Sequence, residues 1–107
     1  MRALAVLLLL AVGASAHEAP SGWSYDRECC HDLDCSTVPD GAIREVAGGY
    51  SVMLSAGQHP MLAGTARAEV FLPHGDPRIR VSGDQHRHAC VSRTGHVFCI
   101  YIPPGGV

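Results

Sequence analysis

The groups in this chain that could do chemistry are its five cysteines and seven histidines. All five cysteines fall in two short stretches, 29–35 and 90–99. The first reads Cys29-Cys30-His31-Asp32-Leu33-Asp34-Cys35, in which Cys30, His31, Asp32, Asp34 and Cys35 form a potential ligand cluster. A second candidate is His86, His88 and Cys90 at i, i+2, i+4. On a strand these share one face at steps of about 6.6 Å, so the two imidazoles could converge on one ion. His17 is a third. If the chain is cut after Ala16, the new terminal amine and the His17 ring could both grip a copper ion, with His86 or His88 as the further ligand. A cysteine in a disulfide is not a thiolate ligand, so the plainer readings are a disulfide loop with solvated aspartates and a solvated strand face. The metal expectation is therefore copper or zinc at His17, His86 and His88. No GxSxG, HExxH or phosphate-binding glycine loop occurs. C-x-x-C is missing as well, the spacing Cys30-x4-Cys35 being wrong for a thioredoxin-type redox pair.

An export signal decides how those cysteines are used. Met1-Arg2 is a short positive start, Ala3 to Val12 is an unbroken apolar run, and Ala14-Ser15-Ala16 is a small-x-small cleavage pattern. The run is shorter than the roughly 20 apolar residues a membrane span needs. Residues 1–16 are thus expected to be a cleavable signal, leaving His17 at the front of a chain with no membrane span. Without Arg2 that chain carries seven arginines, no lysine and ten acidic residues, a charge of −3. A mildly acidic chain with scattered arginines lacks the clustered basic face that nucleic acid requires. A domain this small buries little more than about 60% of its unfolded surface, so cross-links worth about 2–4 kcal/mol each would matter. The oxidising side of a membrane is where such bonds persist.

The elements that must position the cysteines are short and β-like. Residues 17–22 read as a polar, flexible leader, and 23–107 as one small β domain. The segment from Trp23 to Gly41 has no clean period and reads as a Cys-rich loop with at most one helical turn. Ile43 to Leu54 reads as a hairpin about Gly48-Gly49, with Ile43, Glu45, Ala47, Tyr50, Val52 and Leu54 on one face. Short strands are expected at Val70–Leu72 and Arg78–Val81. A second hairpin spans Gln85 to Ile102 around Thr94-Gly95. The predicted class is a small mostly-β, disulfide-stabilised fold: two β-hairpins plus an N-terminal Cys-rich loop.

Two registers compete in the second hairpin. A two-residue Thr94-Gly95 loop sets Cys90 opposite Cys99 and gathers Ala89, Val91, Phe98, Ile100 and Ile102 on one face. A three-residue loop, Arg93-Thr94-Gly95 with Gly95 left-handed, sets Cys90 opposite Phe98 and sends both hairpin cysteines to partners elsewhere. The first is slightly preferred, with a direct Cys90–Cys99 bond. Side chains of adjacent residues diverge in extended chain, so Cys29 and Cys30 should meet different fates, one of them staying unpaired.

The residues Glu28-Cys29-Cys30, Asp34-Cys35, His88-x-Cys90, Cys99 and Pro103-Pro104-Gly105 make the pattern C-C-x4-C, H-x-C, C-x3-P. This resembles a group of small exported bacterial proteins of unknown function, over most of the chain after residue 16. The resemblance implies that the odd cysteine count is a pattern, and it assigns no activity. The reading is an exported protein, periplasmic or secreted, serving as a non-catalytic binding or structural module for a protein or small ligand of the cell envelope. The alternative is an exported copper- or zinc-binding protein using histidine and the spare cysteine.

Overall fold

A computed structural model describes residues 17–106. The signal expected over residues 1–16 lies outside the described residues. Seven strands follow in order: β1 (Cys35–Thr37), β2 (Ile43–Val46), β3 (Gly49–Ser55), β4 (Arg67–Pro73), β5 (Ile79–Val81), β6 (His88–Val91) and β7 (Val97–Ile102). They form a four-stranded sheet, β1-β6-β7-β5, and a three-stranded sheet, β2-β3-β4. The mostly-β class is as expected, and both hairpins are present as β2-β3 and β6-β7. Within the four-stranded sheet β5 runs parallel to β7.

Burial explains the layering. Ile43, Val52, Leu54 and Leu72 of the three-stranded sheet share one core with Ala89, Val91, Ile100 and Ile102 of the other. The opposite face of the four-stranded sheet is covered by the N-terminal segment, where Tyr25, Cys29 and Cys30 meet Cys35, Cys90, Cys99 and Tyr101. The central strands β6 and β7 are thus buried on both faces. A strand in that position loses the polar alternation of a one-sided strand and reads apolar throughout, as Val97-Phe98-Cys99-Ile100-Tyr101-Ile102 does.

The first hairpin turns one residue earlier than expected, which shifts the strand pairing by two. Val46 pairs with Gly49, and Ala47-Gly48 make the turn, with Gly48 at φ 84°. Gly49 is needed inside β3 instead, because a Cβ there would strike the Leu72 carbonyl of β4. A slip of two residues preserves every face. Ile43, Tyr50, Val52 and Leu54 are accordingly buried, while Glu45 and the turn residue Ala47 are exposed.

In the second hairpin both registers occur, one at each end. The Ser92 N–H donates to the His96 carbonyl around the three-residue loop Arg93-Thr94-Gly95, with Gly95 at φ 87°. Beyond Val91 and Val97 a bulge takes up one residue, so that Cys90 again opposes Cys99 and Ala89 opposes Ile100. The bulge turns Phe98 off the expected core face toward the cysteine side, and Val97 fills its place in the core.

The segment 17–22, expected as a flexible leader, is folded against the domain. Glu18 bridges to Ser24, the Ala19 N–H donates to the Trp23 carbonyl, and Ala19 is buried. The Cys-rich loop contains one turn, where the amides of Cys29 and Cys30 both donate to the Asp26 carbonyl.

The connection between β3 and β4 is pinned by His59, which is buried. Its Nε2–H donates to the Ala89 carbonyl at 2.9 Å, and its Nδ1 accepts the Met61 N–H at 3.1 Å. Burial lowers the His59 pKa below the ordinary imidazole value, against smaller opposing effects of the Ala89 carbonyl and Asp34. Protonation would remove the acceptor at Nδ1. The contribution of His59 is therefore complete above the unfolded-state pKa of about 6.5 and is lost as pH falls through it toward the folded value. Urea midpoints measured on either side of that pH, at about 7.5 and about 5.5, should show a drop. His59→Leu should cost about 1–3 kcal/mol and flatten this dependence, since two buried backbone groups lose their partners. An unchanged slope in that variant would assign the drop to another group.

Candidate functional site

The outer face of the four-stranded sheet presents Cys35, His88, Cys90, Cys99 and Tyr101, in register with one another. The N-terminal loop is bonded to this face by Cys29–Cys99, and Cys35–Cys90 links β1 to β6 where the loop enters the sheet, with Cα separations of 5.4 and 3.9 Å. The direct Cys90–Cys99 bond expected from the hairpin register is not formed, although the two residues do face each other. Cys90 is flanked on both sides, by Cys99 across β7 and by Cys35 across β1, and its sulfur bonds to Cys35. Cys99 is left for Cys29 of the covering loop. The vicinal pair divides as expected: Cys29 is bonded and Cys30 is a buried free thiol.

Cys30 is not isolated. His17 Nδ1 lies 3.0 Å from its Sγ and 2.6 Å from the Asp32 carbonyl oxygen. The Cys30 thiol also donates to the Asp32 carbonyl at 3.2 Å. Cys30 Sγ, a carboxylate oxygen of Asp34 and Cys35 Sγ all lie within 4.8 Å of one another, and all three residues are buried. Asp34 accepts the amides of His31 and Asp32 at 2.8 and 3.2 Å, and His31 Nδ1 lies 2.9 Å from its other oxygen. Burial pushes the Asp34 carboxyl up, but these hydrogen bonds and the Cys30 thiol outweigh it and hold the group below the usual carboxylate value. Burial and the neighbouring Asp34 raise the Cys30 pKa above the ordinary thiol value, which favours the protonated thiol.

No family model, curated protein or solved structure matches this chain. The site must therefore be read from its own geometry.

The three histidines expected to share a metal do not come together. His17 joins Cys30 instead of His86 or His88. His88 is fully buried on β6, with Nδ1 bonded to the Tyr25 hydroxyl at 2.7 Å and Nε2 to Asp84 at 2.8 Å. Both of its ring nitrogens are occupied, and Tyr25 stands between it and His17, the Tyr25 ring centroid 5.2 Å from that of His17. His86 precedes β6 and is exposed. Of the first candidate cluster, Cys30 and Asp34 do converge, with His31 behind Asp34, whereas Cys35 is held in its disulfide.

A second polar centre, not recognised in the sequence, is Asp84. Its Oδ1 meets His88 Nε2 and accepts from Ser82 and the His86 amide, while Oδ2 accepts from Ser21 at 2.6 Å and Trp23 Nε1 at 3.0 Å. It thereby ties the segment carrying His17 to the sheet. Trp23 in turn packs edge-on against Tyr25, His88 and Tyr101 at 4.9–5.2 Å between ring centroids. Beside Asp34 an open groove of 370 Å³ is lined by His31, Leu33, Pro60, Met61 and Arg93, among others.

Proposed function

We propose that this chain is an exported protein, periplasmic or secreted, that binds a soft metal ion, zinc or copper(I), in its disulfide-clamped loop. The reading rests on one observation: the single thiol outside the two disulfides lies 3.0 Å from an imidazole nitrogen, Cys30 Sγ to His17 Nδ1. Thiolate and imidazole are the donors these ions select, and the Asp34 carboxylate beside Cys30 suits zinc. Cleavage after Ala16 would add the His17 amine as a further donor on the same residue. Disulfides persist in an oxidising compartment, and two of them with no helix long and apolar enough to cross a membrane among the described residues are compatible with export. The metal centre of this proposal is thus His17, Cys30 and Asp34, in place of His17, His86 and His88.

The test is native against denaturing mass spectrometry of the exported protein after zinc loading. The expected result is one zinc ion retained in the native spectrum and lost on denaturation. Cys30→Ser should abolish retention, and His17→Ala should weaken zinc affinity by about tenfold or more. A native spectrum without bound metal after loading with zinc and, separately, with copper(I) would refute the proposal.

A second reading, a non-catalytic binding module for a protein or small ligand of the cell envelope, is favoured by the groove beside Asp34. It differs in one outcome: capture of such a partner would be insensitive to Cys30→Ser and sensitive to changes at Leu33 or Arg93.

A further inference from the structure

We infer that reducing the Cys35–Cys90 disulfide turns the Cys30 loop into a closed, two-thiolate zinc site with His17, Cys30, Asp34 and Cys35 as its four ligands. The inference rests on the metal reading above and adds to it the ligand that completes the site and the condition that releases it.

Three donor groups of the right chemistry are already gathered, and a fourth touches one of them. Cys30 Sγ, an Asp34 oxygen and Cys35 Sγ lie within 4.8 Å of one another, and His17 Nδ1 is 3.0 Å from Cys30 Sγ. Tetrahedral zinc, with bonds of about 2.0–2.3 Å, needs its ligand atoms about 3.3–3.8 Å apart. Side-chain rotations of modest size would close those three, and His17 would swing in from the Cys30 side. The main chain need not move, because β1 remains paired to β6 through Ser36 with Ala89 and Thr37 with His88. His31 Nδ1, 2.9 Å from Asp34, is positioned to orient the carboxylate from outside, as the outer partners of zinc ligands do.

What withholds Cys35 is its bond to Cys90, since a disulfide sulfur carries no thiolate charge. A dithiol reductant supplies two electrons and two protons. The Cys35–Cys90 bond breaks, the reductant closes its own disulfide, and two thiols result. Zinc then displaces the protons of Cys30 and Cys35. Cys90, fully buried on β6, is left as a thiol behind the site. The oxidised protein offers one thiolate and the reduced protein two.

Cobalt(II) and zinc test this directly on the exported protein. The forms compared are oxidised wild type, Cys90→Ser prepared without oxygen, the double variant Cys35→Ser/Cys90→Ser, and wild type treated with a reductant that binds no metal. The Cys29–Cys99 bond is retained in both variants. Cobalt loading should give a thiolate charge-transfer band in Cys90→Ser about twice that of oxidised wild type. Zinc competition against a chromophoric chelator should show affinity about tenfold tighter or more, and the double variant should fall back to the oxidised level. Wild type reduced at Cys35–Cys90 alone, with Cys29–Cys99 shown intact by peptide mapping, should match Cys90→Ser, which covers the case of a variant that fails to fold. Equal bands and equal affinities in the oxidised form and Cys90→Ser would overturn the inference and leave the metal reading standing. Uptake by the reduced form alone would support the inference and remove the site proposed for the oxidised protein. Absence of uptake in every form would overturn both.

Discussion

Removing either disulfide is expected to cost about 3 kcal/mol of stability, and removing both about 7 kcal/mol, so that the second removal is the more damaging. The asymmetry comes from nesting. The bonds span 70 and 55 residues, and Cys35–Cys90 lies wholly inside Cys29–Cys99. Each alone constrains the unfolded chain by the entropy of a long loop, about 4 kcal/mol. With one in place, adding the other closes only the short segments 29–35 and 90–99, about 15 residues of chain, worth about 3 kcal/mol. A small domain has about 5–15 kcal/mol in total, so the doubly reduced protein should lie at or near its unfolding midpoint at room temperature. The measurement is urea unfolding of Cys29→Ala/Cys99→Ala, Cys35→Ala/Cys90→Ala and their combination, in a Cys30→Ser background that prevents reshuffling. Losses below about 1 kcal/mol for either pair, or a second loss smaller than the first, would contradict the nested map.

The same map shows what local patterning can and cannot carry. Alternation and turn residues located β2 to β7, though not β1 at Cys35–Thr37, which lies in the segment expected as a loop, and they put Ile43, Tyr50, Val52 and Leu54 on a buried face, because face is a property of parity and survives a two-residue slip. Partner choice is not a property of parity. Cys90 has an opposed cysteine on each side, and only the position of β1, set by a loop of no clear period, decides between them. The bulge at Phe98 was equally hidden, since each register satisfied a different local demand: Gly95 for the turn, Cys90 opposite Cys99 for the strands. At the candidate site the cysteine loop was legible as a ligand cluster from its donor types alone. The approach of His17 to Cys30 was not, because it depends on how residues 18–24 fold back. Asp84 looked like an ordinary turn residue. Its partners Ser21 and Trp23 are 63 and 61 positions away, beyond the reach of any local pattern.

Asp84 carries the other large expected effect. Asp84→Ala should cost about 3–5 kcal/mol, the range for removing one member of a buried charged network. The substitution strands His88 Nε2, a fully buried position, and also deprives Trp23 Nε1 and Ser21 of their acceptor. Asp84→Asn should cost less, about 1–3 kcal/mol, because one amide oxygen can still accept but the amide nitrogen cannot. The two variants also differ from wild type in acid. Burial pushes the Asp84 carboxyl up, yet the hydrogen bonds from His88, Ser21, Trp23 and the His86 amide outweigh it and hold the group far below the usual carboxylate value. The folded pKa lies below the unfolded value of about 3.9, so this stabilisation is complete above it and is lost as pH falls through it. Asp34, and Asp76 through its hydrogen bonds from Arg78, act in the same direction, so wild type should lose stability on acidification from three groups and Asp84→Asn from two. Urea midpoints at about pH 7 and about pH 3 measure the difference, and equal acid losses in the two proteins would sink the assignment. Trp23 is the single tryptophan and donates directly to Asp84, so its emission reports the same event as a red shift in Asp84→Ala. The consequence reaches the proposed metal centre. Ser21 and Trp23 anchor the segment that holds His17 against Cys30, so Asp84→Ala should weaken zinc binding as His17→Ala does, although Asp84 is no ligand itself. Zinc affinity unchanged in Asp84→Ala, with Trp23 emission shifted, would show that His17 is held by its own contacts with Cys30 and Asp32.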